Sequence, residues 1–359
     1  MHKSKYFKSE LEKKCTFTKS PFMNAYRLNL LMCLLVCVFN IGAQSLNNSQ
    51  FKEGPMLQPD FLVAGDTVAI VAPAGILINK TQQIENAKAL MQSWGLNVLT
   101  APHLFSKAHH FAGSDEERTA DMQWAIDHPK AKAIWCARGG YGVTRIIDDL
   151  DFTLFLSNPK WLIGYSDITV LHAHLNRLRV ASIHGMMGVN IDRKSTDLDV
   201  SKATLKKALF GKDLNYKFPK NTNNKGTEAK GELIGGNLTL LQHLLGSESL
   251  PNTKDKLIFI EEIGEYKYHI DRLMQSLKRA GFFEQCKGLV VGDFTNIKSN
   301  NPQWGCSVES LILDVVKNYD FPVFFGFDAG HEIKNQALIL GANISIETLG
   351  DSVELKINH

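Results

Sequence analysis

The stretch Trp161-Leu-Ile-Gly164-Tyr165-Ser166-Asp167-Ile168-Thr169 decides how the rest of the chain folds around it. An apolar segment ends in Gly164-Tyr165, a serine follows, and a helix-like segment starts at once, from Asp167 to Leu178. A serine at a strand-to-helix turn has its hydroxyl held at the strand's C-terminal end, with the N–H groups of the next residues pointing toward it. That layout offers an exposed Oγ and an oxyanion site at a helix N-terminus. The match to G-x-S-x-G is incomplete, because Ile168 replaces the final glycine. Ser166 and Asp167 are also ordinary helix-capping residues, so the turn alone leaves two readings open.

Outward from this turn the chain alternates. Asp66 to Pro73, Leu96 to Thr100, Ala131 to Cys136 and Leu162-Ile163 read as strands. Between them, Thr81 to Trp94 has helical spacing, Ser114 with Glu117 forms a capping box for a helix to about Asp127, and a helix is expected near Val143 to Leu150. Strand and helix in alternation predict an α/β fold, a doubly wound parallel sheet with helices on both faces. Residues 212–230 are polar and turn-rich around Asn221-Thr-Asn-Asn-Lys-Gly226 and read as a linker. A second, smaller α/β domain then covers 231–359. Its elements are the helices Asn237 to Leu245, His269 to Ala280 and Val308 to Val316. Its strands are Leu257 to Glu261, Gly288 to Phe294, Ala342 to Ile346 and Ser352 to Ile357.

A serine nucleophile needs a base, and the base needs an orienting carboxylate. Lys256-Leu-Ile-Phe-Ile260 runs into Glu261-Glu262, and Phe321 to Gly326 leads to Phe327-Asp-Ala-Gly330-His331. Each places an ionisable group just past a strand, at the edge where parallel α/β sheets build their sites. Adjacent strand residues face opposite sides, so only one of Glu261 and Glu262 can meet His331. His172 and His174 stand two apart on a helix, point to different sides, and make a poor metal pair. Arg138, beside glycines, fits either a substrate carboxylate or an internal ion pair. His184, beside a strand, fits either a pocket wall or a packing role.

In order along the chain, these blocks resemble the LD-carboxypeptidase family of serine peptidases, which includes murein tetrapeptide carboxypeptidases and microcin C self-immunity peptidases. The matching residues are Ala137-Arg138-Gly139-Gly140-Tyr141-Gly142, Gly164 to Thr169, His184-Gly185 and Gly235-Gly236-Asn237-Leu238. They continue with Phe259-Ile260-Glu261-Glu262, Tyr268, Ile270-Asp271-Arg272, Gly330-His331, Asn335 and Gly341. The resemblance implies Ser166 as nucleophile, His331 as general base and Glu261 as orienting acid. It implies the backbone N–H groups of Gly140 and Asp167 as oxyanion donors, with Arg138 and His184 toward the substrate. It also implies a swivelling-type C-terminal domain, a homodimer, and neither metal nor cofactor. The expected reaction releases terminal D-alanine from a murein tetrapeptide by cleaving an L,D-amide bond. Two alternatives are an amidase acting on aminoacyl- or peptidyl-nucleotides and an inactive cell-wall-binding protein. The family often has Glu-Asp where this chain has Glu261-Glu262, and His-Gly-Pro where it has His184-Gly185-Met186.

The chain has 359 residues, 44% hydrophobic, with a net charge of +3. That length suits one large or two medium domains, and so small a charge gives no case for a nucleic-acid surface. The basic residues Lys3, Lys5, Lys8, Lys13, Lys14, Lys19 and Arg27 precede an apolar run from Leu28 to Phe39, and Ile41-Gly42-Ala43 follows. Residues 1–43 therefore read as a leader and signal peptide, with Met23 a plausible start. An uncleaved anchor is the alternative. The expectation is export to the periplasm or envelope without stable membrane insertion, against a cytoplasmic alternative. Residues 44–62 read as a tether and 63–211 as the first domain. Cys136, Cys286 and Cys306, the cysteines beyond the leader, are too few and too scattered for a disulfide framework.

Overall fold

The computed structural model describes residues 54–191 and 195–358. The signal-peptide reading, Met23, Cys15, Cys33 and Cys37 lie outside them. Among the described residues, no helix is long and apolar enough to cross a membrane.

Five parallel strands form most of the first sheet: β1 (Thr67–Val71), β2 (Asn97–Thr100), β3 (Ala131–Cys136), β4 (Trp161–Gly164) and β5 (Ser182–His184). Their near-continuous apolar runs follow from burial on both faces. The helices α1 (Thr81–Ser93), α2 (Asp115–Asp127), α3 (Thr153–Ser157), α4 (Thr169–Arg177) and α5 (Thr196–Leu209) belong to this half. The capping box of α2 is present: Ser114 Oγ accepts from Glu117 N at 3.2 Å and Glu117 Oε2 from Ser114 N at 2.9 Å. No α-helix forms over Val143 to Leu150. The segment makes two 3₁₀ turns, Val143–Arg145 and Ile147–Asp149. Buried side chains claim the groups at its start: Asp167 Oδ2 accepts the Val143 N–H at 2.9 Å and Arg118 Nη1 donates to Gly142 O at 2.9 Å.

The second sheet is mixed, in the order β10-β9-β8-β7-β12-β13-β6. Here β6 is Leu214–Pro219, β7 Glu228–Asn237, β8 Lys256–Ile263, β9 Gly288–Thr295 and β10 Val323–Phe325. The hairpin β12 (Asn343–Leu349) and β13 (Ser352–Asn358) pairs antiparallel between β7 and β6, whereas β7 to β10 run parallel. With it come α6 (Leu238–His243), α7 (Lys267–Arg279) and α8 (Val308–Val315).

Three expectations are corrected here. The 212–230 segment is no simple linker: it holds β6, whose Leu214, Tyr216 and Phe218 alternate inward, and the start of β7. The first sheet is not wholly parallel, because β11 (Leu338–Leu340), from late in the chain, adds antiparallel to β5. The described end of the tether, residues 54–62, packs onto the fold: Leu57 N donates to Arg179 O at 2.7 Å, Leu62 is buried, and Phe61 stacks on Trp161 at 5.8 Å. One hydrophobic core joins Trp135, Ile163 and Ile183 of the first sheet to Phe259 and Val290 of the second.

Candidate active site

Ser166 follows β4 with φ +64°, a left-handed conformation that a side chain with a Cβ adopts at a cost. A 3₁₀ turn (Ser166–Ile168) leads straight into α4. The missing second glycine of the motif has a structural answer in the first. A Cβ on Gly164 would lie 2.8 Å from Ile168, so the bare Gly164 makes room for the isoleucine. His172 braces the same strand end. Its Nε2 lies 2.9 Å from Gly164 O and its Nδ1 2.8 Å from Ser182 Oγ. A carbonyl only accepts, so the proton is on Nε2 and Ser182 donates to Nδ1. Burial holds this imidazole neutral, with its pKa lowered to about 4. His174 Nδ1 is 2.9 Å from Ser249 Oγ, so neither histidine reaches the other.

The glycine turn passes directly over the serine. A Cβ on Gly139 would lie 3.0 Å from Ser166 Cβ and 3.2 Å from its Oγ. Gly140 is exposed, with φ +108°. Asp167 is buried, and burial raises its pKa to about 6 against the Val143 N–H and the Arg118 charge. Its carboxyl thus ties the Ser166 turn to the glycine loop. Arg138 is half-buried and donates to Ile76 O, a backbone partner that is neither of its two expected ones.

The carboxylate–histidine pair comes from the second sheet. Glu261 is fully buried, and its Oε2 lies 2.7 Å from His331 Nδ1. The carboxylate accepts, so Nδ1 carries the proton and Nε2 is left as the basic nitrogen. Register places this pair. β8 and β9 pair Ile260 with Val291 and then Glu262 with Phe294, so the single Glu261 faces a bulge of two residues, Gly292 and Asp293. The loop before His331 docks on that bulge: Gly326 N donates to Val291 O at 3.1 Å and Asp293 N to Ala329 O at 2.9 Å. A Cβ on Gly292 would sit 2.3 Å from Ala329 O, which requires glycine there. Burial lowers the His331 pKa, but the hydrogen bond and charge of Glu261, with Glu262 and Asp293, outweigh it and hold it above the ordinary value.

Glu262 turns the other way. It accepts from Asn237 Nδ2 at 3.0 Å, Thr239 N at 2.9 Å, Thr239 Oγ1 at 2.7 Å and its neighbour Ile263 N at 2.8 Å. Burial raises its pKa, and the adjacent Glu261 adds to the rise.

The two halves meet at Tyr165, whose ring centroid lies 4.9 Å from that of His331. Tyr165, Met186, Asn190, Leu198, Ile263 and His331 line a cavity of about 230 Å³ between the sheets. Among the described residues, no hydrogen bond joins Ser166 Oγ to His331. His184 does not line this cavity. It is fully buried, 5.9 Å from the Tyr165 ring and 5.0 Å from that of Phe259, so its place is beneath the site. Sequence reasoning chose Gly140 from the glycine turn, whereas Gly139 is the glycine that packs on Ser166, and it missed Tyr165 as a cavity wall and the bulge at Gly292-Asp293.

A serine in a strained strand-to-helix turn and a buried carboxylate–histidine pair stand on the two halves that meet at Tyr165, and the comparisons give the family. Residues 68–185 match the LD-carboxypeptidase N-terminal domain and residues 230–346 the LD-carboxypeptidase C-terminal domain. The chain belongs to the LD-carboxypeptidase family of peptidases. It is 33% identical over 295 residues to a Bacillus subtilis protein named "Probable murein peptide carboxypeptidase", covering 81% of this chain and 92% of that one. The crystal structure of muramoyltetrapeptide carboxypeptidase from Oxalobacter formigenes superposes with a TM-score of 0.74 at 26% identity, over 82% of this chain and 99% of that one. The microcin C7 self immunity protein MccF shares the fold, with a TM-score of 0.75 at 20% identity, over 84% of this chain and 98% of that one.

Proposed function

We propose that this protein is a serine carboxypeptidase that releases terminal D-alanine from a murein tetrapeptide. The observation that carries this reading is the left-handed Ser166 at the end of β4, a strained conformation of the kind that clusters at active sites. In the proposed cycle Ser166 Oγ attacks the carbonyl of the L,D-amide bond while His331 Nε2 takes the hydroxyl proton. Glu261 holds the imidazole in the required tautomer and stabilises it when charged. The N–H groups of Gly140 and Asp167 receive the oxyanion. His331 then gives its proton to the departing amine of D-alanine. Water, deprotonated by the same histidine, hydrolyses the acyl-enzyme to free tripeptide.

Arg138, at the mouth of the glycine turn, is the proposed partner for the substrate's terminal carboxylate. The names of the relatives support a murein peptide as substrate. A nucleotide substrate would want an aromatic stacking face; Trp304, a candidate for one, is exposed and outside the cavity lining. The basic and apolar leader supports export and action in the envelope, and a homodimer is the proposed assembly.

Incubation of the purified protein with murein tetrapeptide, followed by mass spectrometry, tests the function. The expected products are tripeptide and D-alanine in equal amounts. An unchanged tetrapeptide would sink the proposal.

A further inference from the structure

Thr169 opens α4, three residues after Ser166, and is fully buried. Its Oγ1 accepts the backbone N–H of Asn237 at 2.9 Å. Asn237 ends β7 and stands directly opposite Glu261 in the β7–β8 ladder. Its side chain continues the connection, since Nδ2 donates to Glu262 and Oδ1 accepts from Leu240 N at 3.2 Å. The approach is a tight one. Gly236 has φ +146°, and a Cβ there would lie 2.5 Å from Thr169 Oγ1. One neutral hydrogen bond thus spans from the nucleophile's helix to the residue paired with the acid.

The opposite end of α4 is fastened differently. Glu232 of β7 accepts from Asn176 Nδ2 at 3.1 Å, from Arg179 Nη1 at 3.0 Å, and from Lys256. That charged anchor docks α4 on β7 at the end away from Glu261. The Thr169 bond lies at the other end of α4, beside Ser166 and the Asn237–Glu261 pair of the ladder.

We infer that Thr169 is a positioning residue whose hydroxyl sets the separation between the Ser166 turn and the Glu261–His331 pair. The inference rests on the catalytic assignment proposed above. Thr169→Val keeps the shape and removes the acceptor, leaving the Asn237 N–H unpaired. Misplacement of reacting groups by about 1 Å costs on the order of 100-fold in rate. Thr169→Val is therefore expected to lower kcat for D-alanine release by roughly 10- to 100-fold with KM little changed, and Thr169→Ser to restore most of it. Amide hydrogen exchange reads the same bond without turnover. In Thr169→Val the Asn237, Glu262 and Ile263 amides should exchange faster, while those around Glu232 keep wild-type protection.

An unchanged kcat in Thr169→Val would overturn the inference, as would a loss that merely tracks the unfolded fraction. So would unchanged exchange at Asn237. A wild-type protein that releases no D-alanine would defeat the proposed function, and the exchange measurement would still decide whether Thr169 couples the two halves.

Discussion

The Ser166 side and the His331 side of this site are built by opposite means. Ser166 is placed by its immediate neighbours: the end of β4, the bare Gly164 that admits Ile168, and a helix that begins at once. Its position carries backbone strain, visible in a φ of +64°. Glu261 and His331 are 70 residues apart and meet through sheet register, a bulge and a docked loop. The segment after His331 is in turn held by the first half: Ser201 Oγ accepts from Asn335 N at 2.9 Å and Thr204 Oγ1 from Ala337 N at 3.1 Å. A local device stores strain and can be tested by relieving it. A long-range device stores none at its own residues and can be tested by removing single contacts.

The largest effect should come from Ser166→Gly, which removes the nucleophile and the steric cost together. D-alanine release should fall on the order of 10⁶-fold, as loss of a triad nucleophile does elsewhere. Stability should rise by about 1 kcal/mol once the extra unfolded-state entropy of glycine is subtracted from the relieved strain. Urea denaturation checks this. A variant less stable than wild type would mean that the turn is shaped by its surroundings at no cost to the serine.

A smaller loss separates the two glutamates. Glu261→Gln should reduce turnover roughly 10⁴-fold, because the histidine loses its tautomer and its counter-charge. Glu262→Gln should cost far less activity, since all four bonds of its carboxylate go to β7, the start of α6 and its own neighbour. Steady-state rates for the two variants settle the order, and a reversed ranking would transfer the orienting role to Glu262.

The smallest effect is a displacement in pH. The base works as neutral imidazole, and the His331 pKa is raised, so protonation persists to higher pH than for a free histidine. The acidic limb of kcat/KM should therefore lie above about 6.5, the unperturbed histidine value. In Glu261→Gln the main raising influences are gone, burial dominates, and the limb of the residual activity should move to lower pH. A limb that stays put in the variant would assign it to another group, with Asp293, raised by burial to about 7, the first candidate.

Much of this was legible without coordinates because it is local. Near-continuous apolar runs announce parallel strands, the Ser114–Glu117 spacing announces a capping box, and a serine between an apolar run and a helix announces the turn. Charges at the ends of β8 and of the Phe321 to Gly326 segment marked the edge where the candidate site lies. The 3₁₀ turns after Gly142 were not legible, because the groups that interrupt a helix there are side chains of Arg118 and Asp167 from elsewhere in the chain. β6 was hidden by polar composition, although its apolar residues alternate.

The sequence by itself determined the α/β class, the serine's place at a strand end, and the pair of glutamates of which only one could face His331. Only the tertiary structure decided which glutamate faces the histidine, that His184 lies beneath the site, and that β11 crosses back to complete the first sheet. The physical reason is range. Backbone period and turn chemistry act over a few residues, whereas the facing of Glu261 depends on two extra-paired residues of a neighbouring strand, Gly292 and Asp293, and on the loop that rests against them.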